Sequence, residues 1–127
     1  MPVKTLSNQD LNKKEAVLTK AVLRSAELLG ISRKDLSEII GVSEPTLSRI
    51  HQNRAVIPLE SKTGEVATQW VRVYRSLDSL FGGKAELCSK WLNAPNDHLG
   101  GVPLQLIKKI QGLIRVAGYL DAMRAKI

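Results

Sequence analysis

The chain has 127 residues, enough for one domain or for two small helical units that share a core. Hydrophobic residues make up 43% and charged residues 24%, which excludes a wholly disordered chain. With Trp70, Tyr74, Phe81, Trp91 and Tyr119 as the only aromatics, the core must come from Leu, Ile, Val and Ala. Nineteen Lys and Arg against twelve Asp and Glu leave +7, a balance that favours a polyanionic partner. The single Cys88 excludes an internal disulfide, and His51 and His98 do not complete a zinc ligand set. No apolar run approaches the roughly 20 residues that a bilayer requires, and no signal-peptide core opens the chain, so no membrane partner and a cytoplasmic location are expected.

In chain order, residues 1–10 read as a flexible tail that ends near a cap at Asp10 or Asn12. A first helix then runs to Leu29, with Leu11, Leu18, Val22, Ala26 and Leu29 on one face and Gly30 as its stop. Ser32 with Asp35 starts a second helix, and Ser43 with Pro45 starts a third. The two meet at Gly41, while Leu36, Ile40, Val42, Leu47 and Ile50 fall where crossed helices share a core. This is a helix-turn-helix pattern within residues 11–58. A long amphipathic helix follows from about Glu60 to Phe81, within a connecting segment 59–83. Its ridges, Val66-Trp70-Val73-Leu77-Leu80 and Ala67-Val71-Tyr74-Phe81, exceed what one neighbour covers, so this helix is the expected dimer surface. Residues 84–127 form the last region: a helix over Lys84 to Leu92, a breaker-rich stretch to Pro103, and helices over Pro103 to Ile110 and Gly112 to Arg124. No strand alternates convincingly, so the fold class is all-α.

A helix-turn-helix has a mechanical reason to bind DNA, since its second helix fits the major groove and presents its first turns to base edges. With Leu47 and Ile50 inward, Ser43, Glu44, Thr46, Ser48 and Arg49 lie toward the groove. Arg49 can fork onto guanine, Thr46 and Ser48 can reach a base or a phosphate, and Glu44 can accept from cytosine or repel phosphate. Arg33 and Lys34 before that helix, and Gln52, Asn53 and Arg54 after it, suit phosphate contacts that fix register. A dimer is expected, because two-fold pairing sets two recognition helices roughly 34 Å apart on one duplex face.

Other chemistry is sparse. Glu60 and Glu65 read as a solvated helix face, and Asp97-His98 as a turn. Gly100-Gly101 follows no strand and is not a phosphate cradle, Cys88 reads as core filler, and Trp70 and Trp91 read as core anchors. No catalytic residue, metal site or cofactor is expected.

Beyond these features, Thr46-Leu47-Ser48-Arg49, Leu80-Phe81-Gly82, Trp91-Leu92-Asn93-Ala94-Pro95-Asn96, Leu99-Gly100-Gly101-Val102-Pro103-Leu104, Gly112 and Val116 to Leu120 follow one another in a distinctive order. In these residues, over about 20 to 124, the chain resembles the Xre-type antitoxins of RES-Xre toxin-antitoxin pairs, the MbcA/ParS/Xre family. The resemblance implies a non-catalytic antitoxin that binds a RES-domain toxin acting on NAD while its N-terminal region binds operator DNA. It also implies a toxin-binding region over 84–127, with Asn96, Leu99, Gly100 and Gly101 in its loop and Met123, Arg124, Lys126 and Ile127 at its end. After Leu120 the apolar period is lost, so residues 121–127 are expected to project freely toward the toxin's active site. Two alternatives stand beside this reading: a stand-alone helix-turn-helix repressor, and an inhibitor that has lost DNA binding.

Overall fold

The computed structural model describes residues 7–126, so most of the expected tail and the candidate Ile127 lie outside the described residues. Helix α1 (Asn8–Leu29) starts ahead of the expected cap: the Ser7 hydroxyl accepts the Asp10 amide at 3.1 Å, which places Asp10 in the first turn. Gly30 ends it at φ +68°. The helix-turn-helix is α2 (Arg33–Ile40) and α3 (Glu44–His51). Ser32 and Ser43 cap them through the Asp35 and Thr46 amides, at 3.0 and 3.2 Å, and Gly41 turns the chain at φ +75°. Leu36, Ile39, Ile40, Leu47 and Ile50 are buried between them.

The segment after α3 is tied to α1. The Ile57 amide donates to Thr19 Oγ1 at 2.9 Å and the Leu59 amide to Glu15 Oε2 at 2.8 Å, so a stretch without regular structure still has its backbone satisfied. Helix α4 (Lys62–Leu80) then runs through the middle of the molecule. Its first turn lies so close to the preceding loop that a Cβ on Gly64 would collide with the carbonyl oxygens of Pro58 and Leu59. Trp70 is fully buried, and its indole N–H donates to Ser25 Oγ at 2.9 Å.

Helix α4 packs against α1, α2, α5 (Ala85–Asn93) and α7 (Ile110–Ala125). This corrects the expected dimer surface: most of both ridges is covered within the chain, with Ala67, Trp70, Val71, Val73 and Leu77 buried and Val66, Tyr74, Leu80 and Phe81 half-buried. The periodicity counted the neighbours rightly but could not say that they belong to the same chain. Val66 and Gln69 of α4 lie beside Ile110 and Ile114 of α7, while Arg72 and Ser76 reach Asp121, so α4 and α7 run parallel. Among the described residues there is no strand, only an isolated bridge between Asn96 and Gly101.

Short helix α6 (Pro103–Leu106) stops earlier than expected, and Ile110 opens α7 instead of ending α6. The cause is Gly112. A Cβ there would overlap the Leu106 carbonyl oxygen, so only glycine lets α7 begin this tightly against the end of α6. Residues 121–125 also depart from expectation. They continue α7 and are held to α4, with Asp121 paired to Arg72 and bonded to the Ser76 hydroxyl, and the Arg124 guanidinium donating to Ser76 Oγ at 3.3 Å.

Candidate nucleic-acid and partner-binding surfaces

Helix α3 buries Leu47 and Ile50 and turns its other side outward, where Glu44, Pro45 and Arg49 are exposed and Thr46 and Ser48 half-buried. Ser43 donates from its hydroxyl to Thr46 Oγ1 at 2.8 Å, and Arg49 Nη2 donates to the same Thr46 oxygen at 3.2 Å. One turn of α3 thus holds the arginine fork in place. Arg54 is exposed just beyond the helix, its amide bonded to the Arg49 carbonyl at 2.9 Å. Gln52 is also exposed, and Asn53 takes a left-handed φ of +59° that brings the chain round.

Arg33 and Lys34 are exposed in the first turn of α2, where the helix dipole favours anions. Two cations at that end cost α2 stability, offset in part by Asp35 in the same turn. Glu44 is the converse: an acid in the first turn of α3 stabilises that helix whatever it meets outside.

The C-terminal loop is a built structure. The Asn96 side-chain oxygen accepts the Leu99 amide at 3.1 Å, the Asn96 carbonyl accepts the Gly100 amide at 2.8 Å, and the Asn96 amide donates to the Gly101 carbonyl at 2.9 Å. Gly100, exposed at φ +78°, makes the turn. Arg115 of α7 locks the loop from outside, donating to the Leu99 carbonyl at 3.0 Å and the His98 carbonyl at 3.1 Å. Leu99 is 2% exposed and faces the core, so its side chain anchors the loop and offers nothing to a partner. Met123 and Arg124 are exposed on the last turn of α7, and Lys126 is exposed just past its end.

Two family models match the chain. One, described as an antitoxin Xre-like helix-turn-helix domain, matches residues 13–69, and the other, described as an antitoxin Xre/MbcA/ParS C-terminal toxin-binding domain, matches residues 76–126. The chain belongs to the Xre-type antitoxins. Among curated proteins, none matches it.

The two matched parts of this antitoxin divide within α4, and a single buried cluster runs through both. They are also linked by charge: Lys108, between α6 and α7, reaches Asp35 Oδ1 at 2.8 Å and Glu38 Oε2 at 3.1 Å, both on α2. The hydrogen bond from Lys108 holds the Asp35 carboxyl below the usual carboxylate range, and the bond to Asp35 raises Lys108.

The antitoxin keeps Cys88 buried, and burial pushes its thiol up, away from nucleophile chemistry. Among the described residues, no group of three or more His, Cys, Asp and Glu could hold a metal ion, and no helix is long and apolar enough to cross a membrane. Trp91 packs against the core from its edge. It is half-buried and stacks on Tyr119 with ring centroids 6.3 Å apart, and Tyr119 stacks on His98 at 6.2 Å. Sequence reasoning missed this aromatic ladder, along with Arg115 and Lys108, because each forms between residues far apart in the chain.

Proposed function

We propose that this antitoxin binds and inhibits a RES-domain toxin that acts on NAD, and that as a homodimer it binds double-stranded operator DNA to regulate its own transcription. One observation carries the reading: an outward-facing helix-turn-helix is fused through a shared core to a domain of the toxin-binding family. On the DNA side, Arg49, Thr46, Ser48 and Glu44 would meet base edges, with Ser43 fixing the helix start. Arg33, Lys34, Gln52, Asn53 and Arg54 would meet phosphates; their exposure supports this. On the toxin side, the rigid loop at Asn96, Gly100 and Gly101 and the last turns at Met123, Arg124 and Lys126 would form the contact, with Ile127 beyond the described residues and Leu99 acting from inside.

The experiment is paired. The reading frame beside its own is expected to encode a RES-type protein; the chain is purified with that protein, and its own promoter is tested by gel shift. A stable complex together with a shifted promoter is expected. A shift without a complex would leave a stand-alone repressor, and a complex without a shift an inhibitor that no longer binds DNA.

A further inference from the structure

Helix α2 carries its own competitors for Lys34. Glu38 stands four residues on, within pairing reach on the helix surface, and Asp35 follows Lys34 directly. An ammonium already paired with a carboxylate displaces no counterion when it meets a duplex, so such a pair would weaken any phosphate contact. In the structure that pair is not made. Both acids turn to Lys108 instead, at 2.8 Å from Asp35 Oδ1 and 3.1 Å from Glu38 Oε2, and among the described residues neither Arg33 nor Lys34 is in an ion pair. The Asp35 carboxyl is held low chiefly by its hydrogen bond from Lys108 and least by the charge of Lys34, so the two lysines act on one acid.

Lys108 comes from the other matched part of the chain. It sits in the turn between α6 and α7, which is fixed by the fully buried Ile107 and by the close approach of Gly112 to the Leu106 carbonyl oxygen. The packing of the toxin-binding domain therefore decides whether this ammonium reaches α2.

We infer that Lys108 is a positioning residue for operator binding: by occupying Asp35 and Glu38 it leaves Lys34, with Arg33 beside it, unpaired for the phosphates of the duplex, so the toxin-binding domain sets the DNA affinity of the helix-turn-helix. The inference deepens the operator binding of the proposed function and rests on that reading. Lys108 is not itself the phosphate ligand, because its side chain is only 17% exposed and its ammonium lies between two carboxylates, whereas Arg33 and Lys34 are exposed at the start of α2. Without it, Glu38 turns to Lys34, and two unbalanced acids repel the duplex.

The test is a titration of the chain's own promoter with the full chain at several salt concentrations, with circular dichroism as the folding control. The variants are Lys34→Ala, Lys108→Met, which keeps the apolar stem and removes the charge, the two combined, and Lys108→Met with Glu38→Gln. Lys108→Met is expected to weaken binding about five- to tenfold near 0.1 M salt and to lower the salt slope by about one, as the loss of one phosphate contact does. Since Lys108 acts through Lys34, the combined variant should bind about as Lys34→Ala does, and Glu38→Gln should restore Lys108→Met to within about twofold of the native chain. Losses from Lys108→Met and Lys34→Ala that simply multiply would make Lys108 a separate contributor, and a loss that Glu38→Gln does not restore would make its role structural; either result overturns the inference. Lys108→Met binding as the native chain does would overturn the inference alone. A native chain that leaves its promoter unbound would overturn operator binding itself.

Discussion

Lys108 lies 2.8 Å from Asp35, a contact between residues 73 positions apart that joins the toxin-binding domain to the first helix of the helix-turn-helix. Both side chains are mostly shielded from solvent, at 17% and 27% exposure, so the pair is better protected from screening than a surface bridge. Lys108→Ala leaves two α2 carboxylates facing each other without a cation and is expected to cost about 1–2 kcal/mol in denaturant unfolding. The sign with pH follows from the shifts. Asp35 is lowered, so its contribution is present at neutral pH and is lost as pH falls below about 4. Lys108 is raised, so its contribution is lost only as pH rises past about 10. The stability difference between the native chain and Lys108→Ala should therefore be flat across neutral pH and shrink at both extremes.

Gly112→Ala sets two effects against each other. Helix propensity favours alanine by about 1 kcal/mol, but the new methyl must displace the Leu106 carbonyl at the end of α6. The collision is with backbone and should prevail, for a net loss of about 1–3 kcal/mol in thermal or denaturant unfolding.

Cys88 is expected to be silent toward thiol reagents in the folded chain and to react fully once unfolded. It is 1% exposed, and its thiol stays protonated at neutral pH. Rapid labelling under native conditions would show that α5 opens readily.

What was legible in the sequence and what was not divides by distance along the chain. Ser32, Gly41 and Ser43 announce the helix-turn-helix because a cap or a left-handed turn is a bargain between near neighbours, and the structure sets these residues where the spacing put them. The α6–α7 boundary was misread because Gly112 looks like a helix breaker until its close approach to Leu106 is seen. Trp91 reads as a core anchor and does pack on the core, but an aromatic on an apolar face does not disclose that Tyr119 stacks on its open side. The free C-terminal end was expected because the apolar period stops at Leu120, whereas α7 continues on polar contacts from Asp121 and Arg124 to α4. Lys108 and Arg115 carried no signal, since their partners lie elsewhere in the fold.

On the DNA side, Arg49→Ala is expected to relax base preference on the chain's own operator and cost about 1–3 kcal/mol of specific binding. Lys34→Ala should weaken all sequences alike and lower the salt slope by about one. Footprinting at several salt concentrations separates the two. Binding indifferent to Arg49→Ala would remove α3 from the groove.

At the other end, deletion of Arg124 to Ile127 removes the guanidinium on Ser76 and the last cations. Folding and promoter binding should persist, while bound toxin regains NAD turnover. A truncated chain that still silences toxin at equimolar ratio would shift the inhibitory surface to the Asn93–Pro103 loop and its flanking helices.

The central claim is that this chain neutralises a toxin that consumes NAD; the reading frame beside its own is then expected to encode a RES-type protein, and NAD turnover by that purified protein tests the claim most directly. Titrating the full-length chain into that reaction should reduce NAD loss in proportion to the chain added, until turnover stops at a fixed ratio of the two proteins. Turnover that continues undiminished with the chain in molar excess would contradict the account.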